Sequence, residues 1–531
     1  MMAMLTAVGM AQELPPAPAP PTDASLAQQP TVHVQKFVFE GNQAIATSEL
    51  QQAVAAFTGR TLTAEELEQA RVAVTQRYID RGFINSGAVL PDQDIAGGQV
   101  RMQIVEGRLT QVNLTGNRHL RTRYLRPRIE RGSDAPLNIV ELRDRLELLR
   151  LTPPVEQINA QLQPGSAPGE ATLDVSVAEQ NPFHLGLQWA NDRPPSVGAE
   201  RLYLLAWHDS LTGFADPFNL RYGITTGGLE EPKLAGIDEI DVSYAFPITV
   251  HETTLGGRYA RSNTSIIEQD FEELDFDSNL ETFSVSLRQP LLREPGRQFA
   301  LALSADHQFN ETFLAGEPFK LTPGADADGR MADTVLRFSQ EFTQQDDRSA
   351  LALRSSFNFG IDALGSTNNN LDEPDGEFFS WLGQGQFIHR LLDSQNLLVL
   401  RGTLQAADQR LLALEQLSLG GMDTVRGYRE NQVIRDNGAI GSVELRLPLL
   451  FDTRGRGILY VAPFLDGGLA WNHGDDRDSI DLASAGLGLL INPDRRVNLA
   501  LYWGYPFRDF DTPEDNAQDL GLHFNVTLLA F

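Results

Sequence analysis

The chain has 531 residues, 71 acidic against 43 basic side chains, no cysteine and 41% hydrophobic residues. That length calls for two to four domains, a formal charge of −28 argues against nucleic acid or an anionic membrane surface as the main partner, and zero cysteines exclude disulfide scaffolds, thiolate metal sites and thiol catalysis. No stretch approaches the ~18–20 apolar residues of a spanning helix, and the mean hydropathy is −0.24, which leaves a soluble multidomain protein or a β-barrel, whose alternating strands do not raise bulk hydropathy.

Residues 1–11 (MMAMLTAVGMA) are small and apolar and precede Gln12-Glu13, the pattern of the back half of a secretory signal without its basic start. Residues 12–31 are rich in Pro, Ala and Gln and read as a solvated linker. From Val32 the text changes: Val32, Val34, Phe37 and Phe39 form a β-rich run ending at the turn Gly41-Asn42. Two helical stretches follow. The second, 63–82, opens with the capping box Thr63-Ala-Glu-Glu66 and carries Leu67, Ala70, Val74 and Tyr78 on one face. Short strands at 88–90 and 100–105 complete a β-α-α-β-β order.

The order recurs with weak self-similarity. A strand at 110–114 ends in Gly116-Asn117, helices are expected at 121–131 and 139–149, and strands at 158–162 and 171–177 flank Pro164-Gly165 and Pro168-Gly169. The run from Tyr78 to Asp94 (YIDRGFINSGAVLPDQD) resembles the first POTRA domain of two-partner secretion transporters, and the second module resembles their second. The resemblance implies POTRA 1 over 32–107 and POTRA 2 over 108–180, periplasmic receptor domains whose exposed strand edge and groove, on POTRA 1, could pair with an extended client by β-augmentation.

The remainder, 181–531, reads as sixteen strands, beginning at Phe183, Ala199, Pro217, Glu239, Thr253, Glu281, Arg297, Asp333, Ala350, Phe378, Gln395, Gly438, Arg456, Ala483, Arg496 and Asp519. An even number suits a single-chain outer-membrane barrel. Period-2 alternation sets Leu351, Leu353, Phe357 and Phe359 against Arg354, Ser356 and Asn358. The same pattern sets Val443, Leu445 and Leu447 against Ser442, Glu444 and Arg446. Connections sort by parity, short on the N-terminal side and mostly long on the other (262–280, 309–332, 362–377, 406–437, 506–518), as outer-membrane barrels require. Acidic runs at 268–277, 372–375 and 475–478 read as solvated loop tips. Asp326-Ala-Asp328-Gly329 is an incomplete calcium-loop pattern. The terminal Phe531 resembles the signal by which barrels reach the assembly machinery.

One long connection holds Leu419-Gly420-Gly421-Met-Asp-Thr-Val425-Arg426-Gly427-Tyr428, and a later strand holds Phe464-Leu-Asp466-Gly-Gly468. These resemble the VRGY loop and the F-x-D-x-G strand of the POTRA-barrel superfamily. The resemblance implies that the loop folds into the lumen and that Arg426 pairs with Asp466 on the inner wall. A guanidinium fork can bind a carboxylate bidentately, and Gly427 permits a tight turn. Such a pair is worth ~1 kcal/mol in a wet lumen, whereas breaking one side of a dry pair costs ~3–5 kcal/mol.

No H-E-x-x-H, G-x-S-x-G, P-loop or C-x-x-C is present, so no catalytic residue, metal ligand or cofactor is assigned. The expected architecture is two periplasmic α+β POTRA domains and a 16-stranded antiparallel transmembrane β-barrel. The resemblance implies a type V, two-partner transporter in the outer membrane of a Gram-negative bacterium. Its POTRA domains would recognise an unfolded β-helical exoprotein, haemolysin- or adhesin-like, and the barrel would secrete it without ATP. The other expected partners are outer-membrane lipid and, during biogenesis, the barrel-assembly machinery. Members of the family often carry an N-terminal plug helix, which residues 12–30 lack. The alternative reading is an outer-membrane protein assembly factor or insertase of the same superfamily.

Overall fold

A computed structural model describes residues 31–131, 136–226, 234–265, 276–369, 373–392, 395–511 and 516–530. The expected leader, residues 12–30, the acidic residues 268–275, Asp372 and the terminal Phe531 lie outside these.

In the N-terminal module, β1 (Thr31–Val34) pairs antiparallel with β3 (Arg60–Thr63), while β2 (Lys36–Glu40) pairs in parallel with β5 (Gln99–Val105), beside β4 (Gly87–Val89). Thus the single β-run expected from Val32 to Phe39 is two strands in two sheets, and Thr31 belongs to the first of them rather than to a linker. The break at Gln35 is visible in burial: Val34 and Phe37 are both interior, three residues apart, which one straight strand cannot arrange.

Helices α1 (Thr47–Ala53) and α2 (Ala64–Asp80) cover the sheets. The α2 capping box is formed: Glu66 N–H donates to Thr63 Oγ1 at 3.2 Å, and Thr63 N–H to Glu66 Oε2 at 2.9 Å. Its inner face presents Ala70, Val74 and Tyr78, packed with Val34, Phe37, Leu50, Leu62, Val100 and Met102. Tyr78 hydroxyl donates to Glu106 Oε1 at 2.9 Å, and the same oxygen accepts the backbone N–H groups of Gln43 and Ala44. Burial first, then the adjacent carboxylate, pushes the Tyr78 phenol above its ordinary value.

The second module runs β6 (Arg108–Thr115), α3 (Thr122–Glu130), α4 (Ile139–Arg150), β7 (Val155–Pro164) and β8 (Glu170–Glu179), its three strands in the order β6-β8-β7.

The barrel comprises β9 (Phe183–Ala190), β10 (Arg201–His208), β11 (Phe218–Thr226), β12 (Leu234–Pro247), β13 (Thr254–Ser265), β14 (Phe276–Glu294) and β15 (Arg297–Leu314). A two-residue ribbon β16 (Glu317–Pro318) extends β15, and the wall continues with β17 (Arg330–Gln345), β18 (Ser349–Gly360), β19 (Phe379–Arg390) and β20 (Leu397–Ala407). Between β20 and the next wall strand lie β21 (Leu417–Leu419) and β22 (Val433–Arg435). The wall ends with β23 (Asn437–Phe451), β24 (Gly457–Asn472), β25 (Asp475–Ile491), β26 (Val497–Pro506) and β27 (Leu522–Leu529). Setting aside β16, β21 and β22, sixteen antiparallel strands close where β27 pairs with β9.

Alternation orients every wall strand. Leu187, Leu204, Phe283, Val285, Leu287, Leu303, Leu353, Val443, Leu465 and Leu487 are exposed on the outer face, where lipid replaces water. The inner rows are polar and cross-linked by Arg258–Asp241 at 2.8 Å, Arg288–Glu341 at 2.7 Å and Arg337–Asp306 at 2.7 Å. Asp475 to Asp478, expected at a loop tip, lie within β25; the connection before it is the two-residue turn His473-Gly474, so one connection on the long-loop side is short. The Asp326 pattern is an Asx-type turn: Oδ1 accepts from the N–H groups of Asp328 at 2.9 Å and Arg330 at 2.8 Å.

Candidate functional site: a loop tip held on the inner wall

Residues 408–436 join β20 to β23, and their middle forms the small antiparallel ribbon of β21 and β22. Gly420, Gly421 and Gly427 have φ values of +102°, +106° and +94°, so the tip turns where side chains are disfavoured. Val425 and Tyr428 are buried with Leu419, Val433, Ala470 and Leu482. The tip therefore has its own apolar seat against β24 and β25.

Arg426 is 1% exposed and meets the wall with its full fork. Nε donates to Asp466 Oδ2 at 2.7 Å and Nη2 to Asp466 Oδ1 at 2.8 Å, while its backbone N–H reaches Oδ2 at 3.1 Å. Nη1 donates to Glu444 Oε2, and Nη2 also to Ser442 Oγ at 3.1 Å. The guanidinium carbon lies 3.7 Å from the Phe464 ring centre and 4.6 Å from that of Tyr502. Tyr502 hydroxyl donates to Glu444 Oε2 at 3.1 Å, and Arg446 Nε to Glu444 Oε1 at 2.6 Å. Two guanidiniums thus face two carboxylates in a neutral cluster, with Arg426, Asp466 and Glu444 buried and Arg446 reaching the lumen.

The glycines explain the close approach. A Cβ on Gly427 would stand 2.8 Å from the Gly504 carbonyl, and one on Gly521 would stand 2.0 Å from the Gly504 oxygen. Backbones therefore pack directly, and Gly427 N–H donates to His523 Nε2 at 3.2 Å. A Cβ on Gly468 would meet Leu419 at 2.8 Å and Val425 at 3.3 Å, whereas Gly467 has nothing nearer than the Leu482 carbonyl at 3.9 Å. Of the two glycines that follow Asp466, only Gly468 makes room for the loop.

Further bonds spread the tip over β25 and the connection before β27. Tyr428 hydroxyl donates to Ala483 O at 2.9 Å, Arg429 Nη2 to Asp519 Oδ2 at 2.9 Å, and Glu430 N–H to Gln518 Oε1 at 2.9 Å. At the loop's root, Glu415 accepts both terminal nitrogens of Arg337, at 2.9 and 2.5 Å, and Gln308 Nε2 at 2.8 Å. The structure brings together every motif residue expected: Val425, Arg426, Gly427 and Tyr428 on the loop, with Phe464, Asp466 and Gly468 on the wall. Sequence reasoning missed Glu444, Ser442, Tyr502, His523, Gly504 and the Glu415–Arg337 anchor. For Ser442 and Glu444 a signal existed, since alternation had already placed both on the inner face.

The seam between first and last strands is reinforced beside this site. Strands β9 and β27 pair over 186–190 and 525–529. Beyond that, Asn191 donates its N–H to Phe524 O at 3.2 Å, accepts Phe524 N–H on Oδ1 at 2.7 Å and donates Nδ2 to Leu522 O at 2.8 Å. Gln518 Nε2 donates to the Asn191 and Arg193 carbonyls at 2.8 and 2.7 Å.

The family described as haemolysin secretion/activation protein ShlB/FhaC/HecB matches residues 169–491, and the POTRA domain of ShlB type matches 32–107. Among curated proteins, the outer membrane transporter CdiB of Dickeya dadantii (strain 3937) is 25% identical over 477 residues, covering 87% of this chain and 81% of that one. The heme/hemopexin transporter protein HuxB of Haemophilus influenzae is 22% identical over 478 residues, covering 85% and 79%. Among solved structures, CdiB from Escherichia coli superposes with a TM-score of 0.72 at 22% identity, covering 96% of this chain and 92% of that one. BamA from Haemophilus ducreyi lacking POTRA domains 1–3 gives 0.54 at 15% identity, covering 94% and 100%.

Proposed function

This chain belongs to the haemolysin secretion/activation protein family ShlB/FhaC/HecB, outer-membrane transporters of two-partner secretion with periplasmic POTRA domains, and from that premise we propose that it captures an unfolded β-helical exoprotein and threads it through its own barrel. The second module is read as POTRA 2, and capture is assigned to the POTRA 1 edge strand and groove. An extended client can add to that edge through main-chain hydrogen bonds without a folded epitope. The outer membrane offers no ATP, so export draws on folding of the client outside.

The observation that carries the reading is the loop tip docked by Arg426. A loop whose tip sits on Asp466, Glu444 and Ser442 of the inner wall stands inside the closed barrel, in the space a threaded chain would cross. Undocking carries the Arg426 charge away and leaves Asp466 and Glu444 on the wall against Arg446 alone, so each separation breaks buried pairs and the docked state is favoured until a client takes the loop's place. We assign the loop the role of gate. The seam argues against the insertase alternative: lateral opening would first have to break the Asn191 and Gln518 bonds.

The test is secretion of a candidate exoprotein by the unaltered chain, a deletion of 32–107 and Arg426→Ala. Loss of extracellular exoprotein in the deletion and altered export in Arg426→Ala, with barrel levels equal, are expected. Unchanged export in both would refute the reading.

A further inference from the structure

Outside the loop site, one cavity joins strong positive charge to exposed apolar surface. It lies where α3 and α4 meet the connection 248–253 and the end of β14, and Arg128, Arg131, Arg145 and Arg293 line it together with one acid, Glu252. Four positive charges against one negative is a sharp local reversal in a chain of formal charge −28.

Part of this charge is internally used. Arg128 Nε and Arg293 Nη1 share Glu252 at 2.8 and 2.9 Å, and the other Arg128 nitrogens donate to the Tyr124 and Thr249 carbonyls at 3.0 and 2.9 Å. Arg145 has Glu141 at 3.0 Å, but that glutamate is 63% exposed, so the pair is weak. Among the described residues no hydrogen bond or ion pair engages the Arg131 guanidinium, whose backbone N–H alone is bonded, to Pro127 O at 3.0 Å. Burial, opposed by Glu141 and reinforced by the like charge of Arg131, draws the Arg145 guanidinium below its ordinary value, as expected of a cation lacking a full counter-charge.

Position narrows the ligand. The connections 248–253 and 295–296 are on the short-turn side of the barrel, the side that carries the second module. Leu291 stands in the bulge between Pro290 and Leu292, 61% exposed, and Ile248 is 51% exposed. Further along β14 the outer row continues as Leu287, Val285 and Phe283. The cavity therefore lies where the lipid-facing surface ends, at the depth of the periplasmic headgroups. Its volume of about 170 Å³ is small beside the ~300–1,000 Å³ of drug-sized sites. It suits a phosphodiester better than a length of polypeptide.

We propose that this cavity binds the phosphate of an anionic glycerophospholipid of the periplasmic leaflet, held by Arg131 and Arg145, with Leu291 beside its acyl chain. Paired guanidiniums match phosphate oxygens in a forked geometry that a zwitterionic head, carrying its own cation, satisfies less well. The proposal rests on the barrel's place in the membrane and is independent of the export reading.

The experiment titrates the full chain in neutral detergent with dihexanoyl-phosphatidylglycerol or dihexanoyl-phosphatidylcholine and reads binding by native mass spectrometry. At least a tenfold preference for phosphatidylglycerol is expected, lost in R131Q/R145Q and kept in R60Q/R143Q, which removes the same charge at exposed sites. Heat-dependent gel mobility reports that both variants retain the barrel. Equal binding of the two lipids, or an unaffected R131Q/R145Q, overturns the proposal. Displacement by millimolar inorganic phosphate would make it a free-anion site, and tighter binding of a hexaglutamate peptide would assign it to a protein client; either also overturns it.

Discussion

Replacing Arg426 by Met keeps an apolar stem between Phe464 and Tyr502, and the backbone N–H on Asp466, but removes every guanidinium donor directed at the wall. Of Asp466 and Glu444, each no more than 2% exposed, Glu444 would keep Arg446 while Asp466 would keep no cationic partner. Two regimes were open for this pair, and burial of all three partners selects the dry one, in which breaking one side costs about 3–5 kcal/mol. At ~1.4 kcal/mol per tenfold, the docked loop should lose about 150- to several-thousand-fold in its equilibrium against the undocked state. Single-channel recording in planar bilayers reads this directly: Arg426→Met should raise the open fraction, and Asp466→Leu should do the same. The double variant Arg426→Met/Asp466→Leu should fall well short of the sum of the two, because the singles each leave an unpaired buried charge. Wild-type gating in Arg426→Met, or additive effects in the double variant, would refute the argument that this cluster holds the loop.

Three other outcomes follow from individual contacts. Gly468→Val should free the loop, since its Cβ would overlap Leu419, whereas Gly467→Ala should not; protease cleavage within 420–432 compares them. Tyr78→Phe should destabilise the N-terminal module by about 1–2 kcal/mol through the lost bond to Glu106. Because the folded phenol lies above its ordinary value of ~10, that contribution is complete at neutral pH and fades as pH climbs past that value, so the wild-type advantage in urea unfolding should shrink between pH 9 and 11. Cysteines replacing Gln188 and Thr527, paired across β9 and β27 in a chain otherwise free of cysteine, should close the seam under oxidation without reducing export. Loss of export restored by reductant would show that the seam must open.

Thirteen of the sixteen wall strands begin within three residues of the position expected from alternation, because lipid outside and water inside impose a strict period of two. The exceptions share a cause. Strands β12, β14 and β25 begin five, five and eight residues earlier than expected, in text such as Asp475-Asp-Arg-Asp478, which is polar on both faces. A strand that projects beyond the hydrocarbon needs no apolar face, so its hydrogen bonds leave no hydropathy signature. The same distinction governs the site. Arg426, Asp466 and Gly468 were legible because two short contiguous motifs carry them, whereas Gly504, Gly521 and His523 come from segments distant in sequence and meet Gly427 only when the barrel closes. In the N-terminal module β3 was missed because it is only four residues, Arg60–Thr63, the last of which was read as the cap of the following helix.

The route of the client tests the account most directly. A photo-crosslinking residue at Ser284 or Ser304, on the inner rows, is compared with one at Leu187 or Leu528, on the outer face at the seam, while an exoprotein is stalled in transit by a folded C-terminal fusion. Transport through the barrel predicts adducts at Ser284 and Ser304 and none at the seam. Adducts at Leu187 or Leu528, with the inner rows silent, would contradict it.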